Sequence, residues 1–166
     1  RPNTVVRWLG LAFLIVVFDQ ASKIAILCHF SLGDRLELTA FFNLVLTYNT
    51  GAAFSFLAGA GGWQKWFFIV LALAISVWIL FMLKKHGEHF MLSLALILVM
   101  GGAIGNAIDR LVYGAVVDFL DFHYAGWHFP AFNVADSAIT VGAALMILEG
   151  FLSSRANKEP NPAKMD

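Results

Sequence analysis

The 166-residue chain holds a single cysteine, Cys28. That excludes an internal disulfide and every zinc site built from several thiolates. Charge is scarce too: 13% of the residues are Asp, Glu, Lys or Arg, against roughly 25% in an ordinary soluble domain. Neither sign dominates, with 11 basic and 11 acidic residues, so no global charge points to nucleic acid. The sequence lacks an H-E-x-x-H or comparable metal-ligand spacing, a G-x-S-x-G, a plausible Ser–His–Asp order and a phosphate loop. It also lacks an internal repeat.

What the chain has is apolar surface. Hydrophobic residues make up 60% of it, and they gather in runs at about 8–28, 66–83, 90–108 and 134–152. A helix of roughly 20 residues crosses a hydrocarbon core about 30 Å thick. The pattern therefore predicts an α-helical integral membrane protein with four spans in one domain, 1–166. The first run is read as a span and not as a cleaved signal peptide, because three more follow and no small-residue site closes it. The polar tail, 153–166, is expected to be disordered. Arg1 and Arg7, Lys84 and Lys85, and Arg155, Lys158 and Lys164 flank one set of span ends. Only Arg35, Lys65 and Arg110 lie on the other side, so both termini are expected to be cytoplasmic.

The two outward segments, about 29–65 and 109–133, then share one side of the membrane. "DRLELTAFFNLVLTYN" alternates in a way that predicts short strands, a small sheet at the surface. "YGAVVDFLDFHYAGWHFPAF" carries too many apolar and aromatic residues for an aqueous loop and suits an interfacial segment.

Several polar residues sit against this greasy background. Asp19 and Lys23 are one helical turn apart in the first span. They form either an ion pair that neutralises itself or a support for a functional site, and the two readings are compatible. Gly101 and Gly105 form a G-x-x-x-G pair that lets helices approach closely. Asn106 and Arg110 share a face, beside Asp109, and fit either an anchor to lipid headgroups or a grip on a substrate backbone. Asn49 and Gly51 read as a turn. His123 and His128, with Asp118 and Asp121, offer a weak metal constellation in an aromatic segment where histidines more often serve the interface.

Asp118 and Asp136 are the informative pair. Alone, Asp136 reads as an N-cap of the fourth span, and Asp118 as a surface charge on an interfacial strand. The topology puts both near the outer membrane surface. Two carboxylates close together in a low-dielectric site share a proton, so that one activates water while the other polarises a carbonyl.

The blocks "FDQASK", "YNTGAAFSFL", "GGAIGNAIDR", "VVDF" and "FPAFNVADSAI" occur in this order among four spans. In this the chain resembles lipoprotein signal peptidase, the type II signal peptidase of bacterial inner membranes, from about Trp8 to Leu152. The resemblance implies four transmembrane helices with a small periplasmic β-sheet and an active site near the periplasmic surface. It implies an aspartyl endopeptidase that cuts diacylglyceryl-prolipoproteins just before the lipidated cysteine. Asp118 and Asp136 would be the catalytic dyad, Asn49, Gly51, Asn106, Arg110 and Asn133 would line the site, and Asp19 and Lys23 would brace it. No cofactor or metal is implied, and inhibition by the cyclic peptide globomycin is. The protein is expected to be a monomer among membrane lipids. A small proton-coupled transporter is the alternative, using the same buried polar groups as a relay.

Overall fold

The computed structural model describes residues 2–52 and 56–157. Arg1, Ala53–Ser55 of the second block and most of the expected disordered tail, from Lys158 on, lie outside the described residues.

Each apolar run forms a helix, since a backbone in hydrocarbon has to satisfy its own hydrogen bonds. The helices are α1 (Pro2–His29), α2 (Gln64–His86), α3 (Phe90–Tyr113) and α4 (Val134–Ala156). All four are long and apolar enough to span a bilayer. They exceed the expected spans, because polar end residues such as Lys84, Lys85 and Arg155 continue the last turns, where a cation meets the negative end of the helix dipole. Phe13, Phe18, Val70, Phe81 and Phe151 point outward, as lipid-facing side chains do.

Between the helices run β1 (Arg35–Glu37), β2 (Phe42–Asn49), β3 (Val116–Tyr124) and β4 (Trp127–His128), one antiparallel sheet in the order β1-β2-β3-β4. The expected interfacial segment is therefore mostly strand, paired with the strands of the first outward segment. Its alternation in 116–124 puts Val117, Phe119 and Asp121 on one face and Asp118, Leu120 and Phe122 on the other. Ala125 and Gly126, both at positive φ (50° and 82°), make the tight turn into β4.

Two apolar clusters fix these parts. Ala12, Ile79, Leu83, Leu96, Ile97 and Met100 join α1, α2 and α3. Ile26, Leu46, Val117 and Phe119 seat the sheet on the C-terminal end of α1. Helix α3 lies at the centre, against α1, α2 and α4. Its glycines permit this. A Cβ at Gly101 would stand 2.8 Å from Ile15 of α1, one at Gly105 would stand 2.5 Å from Asp19 of the same helix, and one at Gly102 would collide with the Ala135 carbonyl of α4. The G-x-x-x-G pair thus packs helices inside one chain, as the spacing predicts. Gly114, at φ 75°, closes α3 with its N–H on the Arg110 carbonyl and turns the chain into β3.

Candidate active site

Asp118 is the third residue of β3 and Asp136 the third of α4. The structure corrects the capping reading of Asp136: Asn133 is the N-cap, and Asp136 is its partner in a capping box. The Asn133 side chain accepts from the Asp136 N–H at 2.8 Å, and the Asn133 N–H donates to Asp136 Oδ2 at 3.3 Å. Asn133 Nδ2 also donates to Asp118 Oδ1 at 2.9 Å. One fully buried asparagine therefore holds both carboxylates.

Asn106 approaches Asp136 from α3, its Nδ2 donating to Oδ1 at 2.9 Å. Its own Oδ1 accepts from Lys23 Nζ at 3.1 Å and from Asn133 Nδ2 at 3.3 Å. Those donors fix the orientation of the amide, so that its nitrogen faces Asp136. Asp136 accepts two hydrogen bonds and is half-buried; Asp118 is 2% exposed. Burial, and then the negative charge of Asp136, push the Asp118 carboxyl up to about 8. The charge of Lys23 and hydrogen bonds from Asn49 and Asn133 offset only part of that rise.

Arg110 is buried, which sets aside a headgroup anchor. Its Nη2 donates to the Gly51 carbonyl at 3.0 Å and its guanidinium lies 4.7 Å over the Phe68 ring. Its Nε has no partner among the described residues. Asn49 and Gly51 do form the expected turn: Asn49 Oδ1 accepts from the Gly51 N–H at 2.9 Å and Nδ2 donates to the Ala52 carbonyl at 2.8 Å. A Cβ at Gly51 would strike the Phe56 carbonyl. Asp19 and Lys23 pair at 2.8 Å, both buried.

Two residues of this site were not singled out as site residues by sequence. Asp109, fully buried, pairs with Lys23 at 2.9 Å and accepts from the Val117 N–H at 3.0 Å. Gln20 Nε2 reaches Asp109 Oδ1 at 2.9 Å, the Gly105 carbonyl at 3.0 Å and Asp19 Oδ2 at 3.2 Å. The available signal was position: Asp109 is three residues from Asn106, on the same helical face. His123 and His128 stack at 5.0 Å, and His128 Nδ1 sits 2.9 Å from Asp121. Asp118 takes no part in that group, being on the opposite face of β3. Among the described residues no three His, Cys, Asp or Glu side chains converge in a way that would hold a metal ion.

A cleft of about 230 Å³ opens beside Asp136. Helices α2 and α4 both lie on α3 but scarcely touch each other. Asn106, Arg110 and Asp136 stand at its polar end, and Phe68, Leu71, Ile75, Val99 and Ile139 line the rest.

The family described as Signal peptidase (SPase) II matches residues 11–152. The chain belongs to this family. Its relatives include the Lipoprotein signal peptidase of Burkholderia multivorans, 59% identical over 142 residues that cover 86% of each chain. That of Burkholderia ambifaria is 55% identical over 151 residues, 91% of each. A bacterial membrane enzyme solved by the in meso method at 2.3 Å shares the fold with a TM-score of 0.82, at 33% identity and covering 93% of both chains. Membership in the signal peptidase II family makes the protein a membrane peptidase, which replaces the transporter reading. The buried polar groups of the site gather where α1, α3, α4 and β3 meet.

Proposed function

We propose that the protein removes signal peptides from diacylglyceryl-modified prolipoproteins in the bacterial inner membrane, cutting just before the lipidated cysteine, with Asp118 and Asp136 as the acid–base pair. The observation that carries this reading is the pair of carboxylates held by one asparagine, with Asp136 at the polar end of an apolar cleft. The names of the relatives, lipoprotein signal peptidases, support the substrate class.

In this reading the apolar residues of the signal peptide occupy the cleft between α2 and α4. Arg110, whose Nε is unpaired among the described residues, and the amides of Asn49 and Asn106 hold the peptide extended through its carbonyls. Asp118 carries the shared proton at neutral pH and polarises the scissile carbonyl. The Asp136 carboxylate takes a proton from water as the oxygen attacks the carbonyl carbon. That proton passes to the leaving cysteine nitrogen as the C–N bond breaks. The acyl chains stay in the outer leaflet. Both termini are cytoplasmic and the sheet is periplasmic, and the enzyme works as a monomer surrounded by lipid. Globomycin competes for the same cleft.

The test is cleavage of a purified prolipoprotein, with and without its diacylglyceryl group, read by mass spectrometry of both products. The expected result is one cut before the lipidated cysteine, blocked by globomycin. Equal cleavage of the unlipidated substrate, or a cut elsewhere, contradicts the reading.

A further inference from the structure

Lys23 Nζ has three protons and three acceptors: Asp19 Oδ2 at 2.8 Å, Asp109 Oδ2 at 2.9 Å and Asn106 Oδ1 at 3.1 Å. Each of the two carboxylates also grips one backbone amide. Asp19 Oδ1 accepts from the Ala135 N–H at 2.9 Å, and Asp109 Oδ2 accepts from the Val117 N–H at 3.0 Å. Ala135 directly precedes Asp136, and Val117 directly precedes Asp118. One buried ammonium thus ties together two clamps, each closing on the residue before one member of the dyad. Asn106, the third acceptor, orients Asp136 itself.

We propose that Asp109 is a positioning residue for Asp118, as Asp19 is for Asp136, and that Lys23 fixes the separation of the dyad by holding the two clamps at a common point. This rests on the dyad reading above. The ion pair is more than self-neutralising: with two carboxylates on one ammonium, the second carboxylate has no cation of its own in the cluster. The other charges facing the cluster are Arg110 on α3, Asp118 on β3 and Asp136 on α4; Phe68 is what α2 presents to Arg110. A displacement of about 1 Å in a reacting group costs on the order of a hundredfold in rate, so a released clamp acts on turnover.

The two clamps differ in a testable way. Asp109 uses the same oxygen, Oδ2, for Lys23 and for Val117. The carbonyl of an Asn variant reproduces both contacts; the donation from Gln20 Nε2 to Oδ1 is lost, and half-buried Gln20 shifts away from the new NH2 group while its donors keep Asp19 and Gly105. Asp19 uses different oxygens for Lys23 and Ala135, so its Asn variant loses one contact in either orientation.

The experiment measures kcat, KM and the melting temperature for Asp109→Ala, Asp109→Asn, Asp19→Asn and, as reference, Asp118→Ala, on a diacylated prolipoprotein. Asp109→Ala is expected to lower kcat by about a hundredfold with KM changed less than about threefold. Asp109→Asn restores kcat to within about tenfold of wild type, and Asp19→Asn remains well below it. If Asp109→Ala keeps its kcat while Asp118→Ala is inactive, the positioning role is wrong. Turnover by Asp118→Ala overturns the dyad reading instead. Should Asp109→Ala fail to fold, the two Asn variants, equal in charge, decide alone: an Asp19→Asn kcat at or above that of Asp109→Asn overturns the proposal.

Discussion

At the scale of single residues, two aspartates on opposite faces of β3 titrate in opposite directions. Asp118 is raised to about 8, by burial first and then by the charge of Asp136. An unfolded Asp ionises near 3.9, so between about pH 4 and 8 the folded state binds the extra proton and loses stability as pH rises. Asp118→Asn removes this slope. Its unfolding free energy relative to wild type is expected to climb from pH 4 to 8, by at most about 1.4 kcal/mol per pH unit, with the melting-temperature difference rising in parallel and levelling off above 8. A flat difference contradicts the shift. The wild-type kcat/KM should fall as pH passes about 8, because the proton that polarises the carbonyl is lost. For Asp121, burial opposes the charge, but hydrogen bonds from His128 and Asn43 and the charges of His128 and Arg35 outweigh it and hold the carboxyl below its usual range. That contribution is present above about pH 3.9 and fades as pH falls through the folded value. Asp121→Ala is therefore expected to melt lower than wild type at neutral pH, to converge with it in acid, and to keep its kcat per folded molecule. A lost kcat would place Asp121 in the chemistry.

At the scale of elements, the helices were legible because lipid imposes one rule on every residue of a span, and runs such as "WFFIVLALAISVWILFML" obey it throughout. The sheet was legible only in part. The alternation around Leu36 and Leu38 announced strands in the first outward segment, whereas the aromatic residues of 116–129 suggested an interfacial segment. Pairing of Thr47 with Asp118, across 71 positions, is a long-range fact that local alternation does not carry. That Asp118 and Asp136 come together was readable from topology and motif; the parts of Asp109 and Gln20 were not, because their partners lie on other elements. Close helix approach explains a further expectation. A Cβ at Gly105 would stand 2.5 Å from Asp19 Oδ2, so Gly105→Ala must push α1 from α3 at the Lys23 cluster. Overpacking of this kind costs about 1–3 kcal/mol, and thermal melts in detergent should show that loss together with reduced turnover.

At the scale of the whole molecule, the site ends of α1, α3 and α4 meet one sheet, and the cleft leads from there between α2 and α4 along their apolar faces. A lipid-anchored substrate can thus keep its chains in the bilayer while its scissile bond reaches the dyad at the surface. The proposed function places position 125 in the periplasm and position 85 in the cytoplasm. An impermeant thiol reagent on intact cells should label a cysteine placed at 125 and spare one at 85, with Cys28 first replaced by serine; the reverse pattern would invert the molecule. The most direct test of the account remains the dyad itself. Asp118→Asn and Asp136→Asn preserve size, and Asp34→Asn, at an exposed position on the sheet side, serves as control. All three should insert and melt as folded proteins. Cleavage of a diacylated prolipoprotein, followed by gel shift, should fall at least about a hundredfold in both dyad variants and stay near wild type in the control. Substantial turnover by either dyad variant, at wild-type stability, would contradict the account.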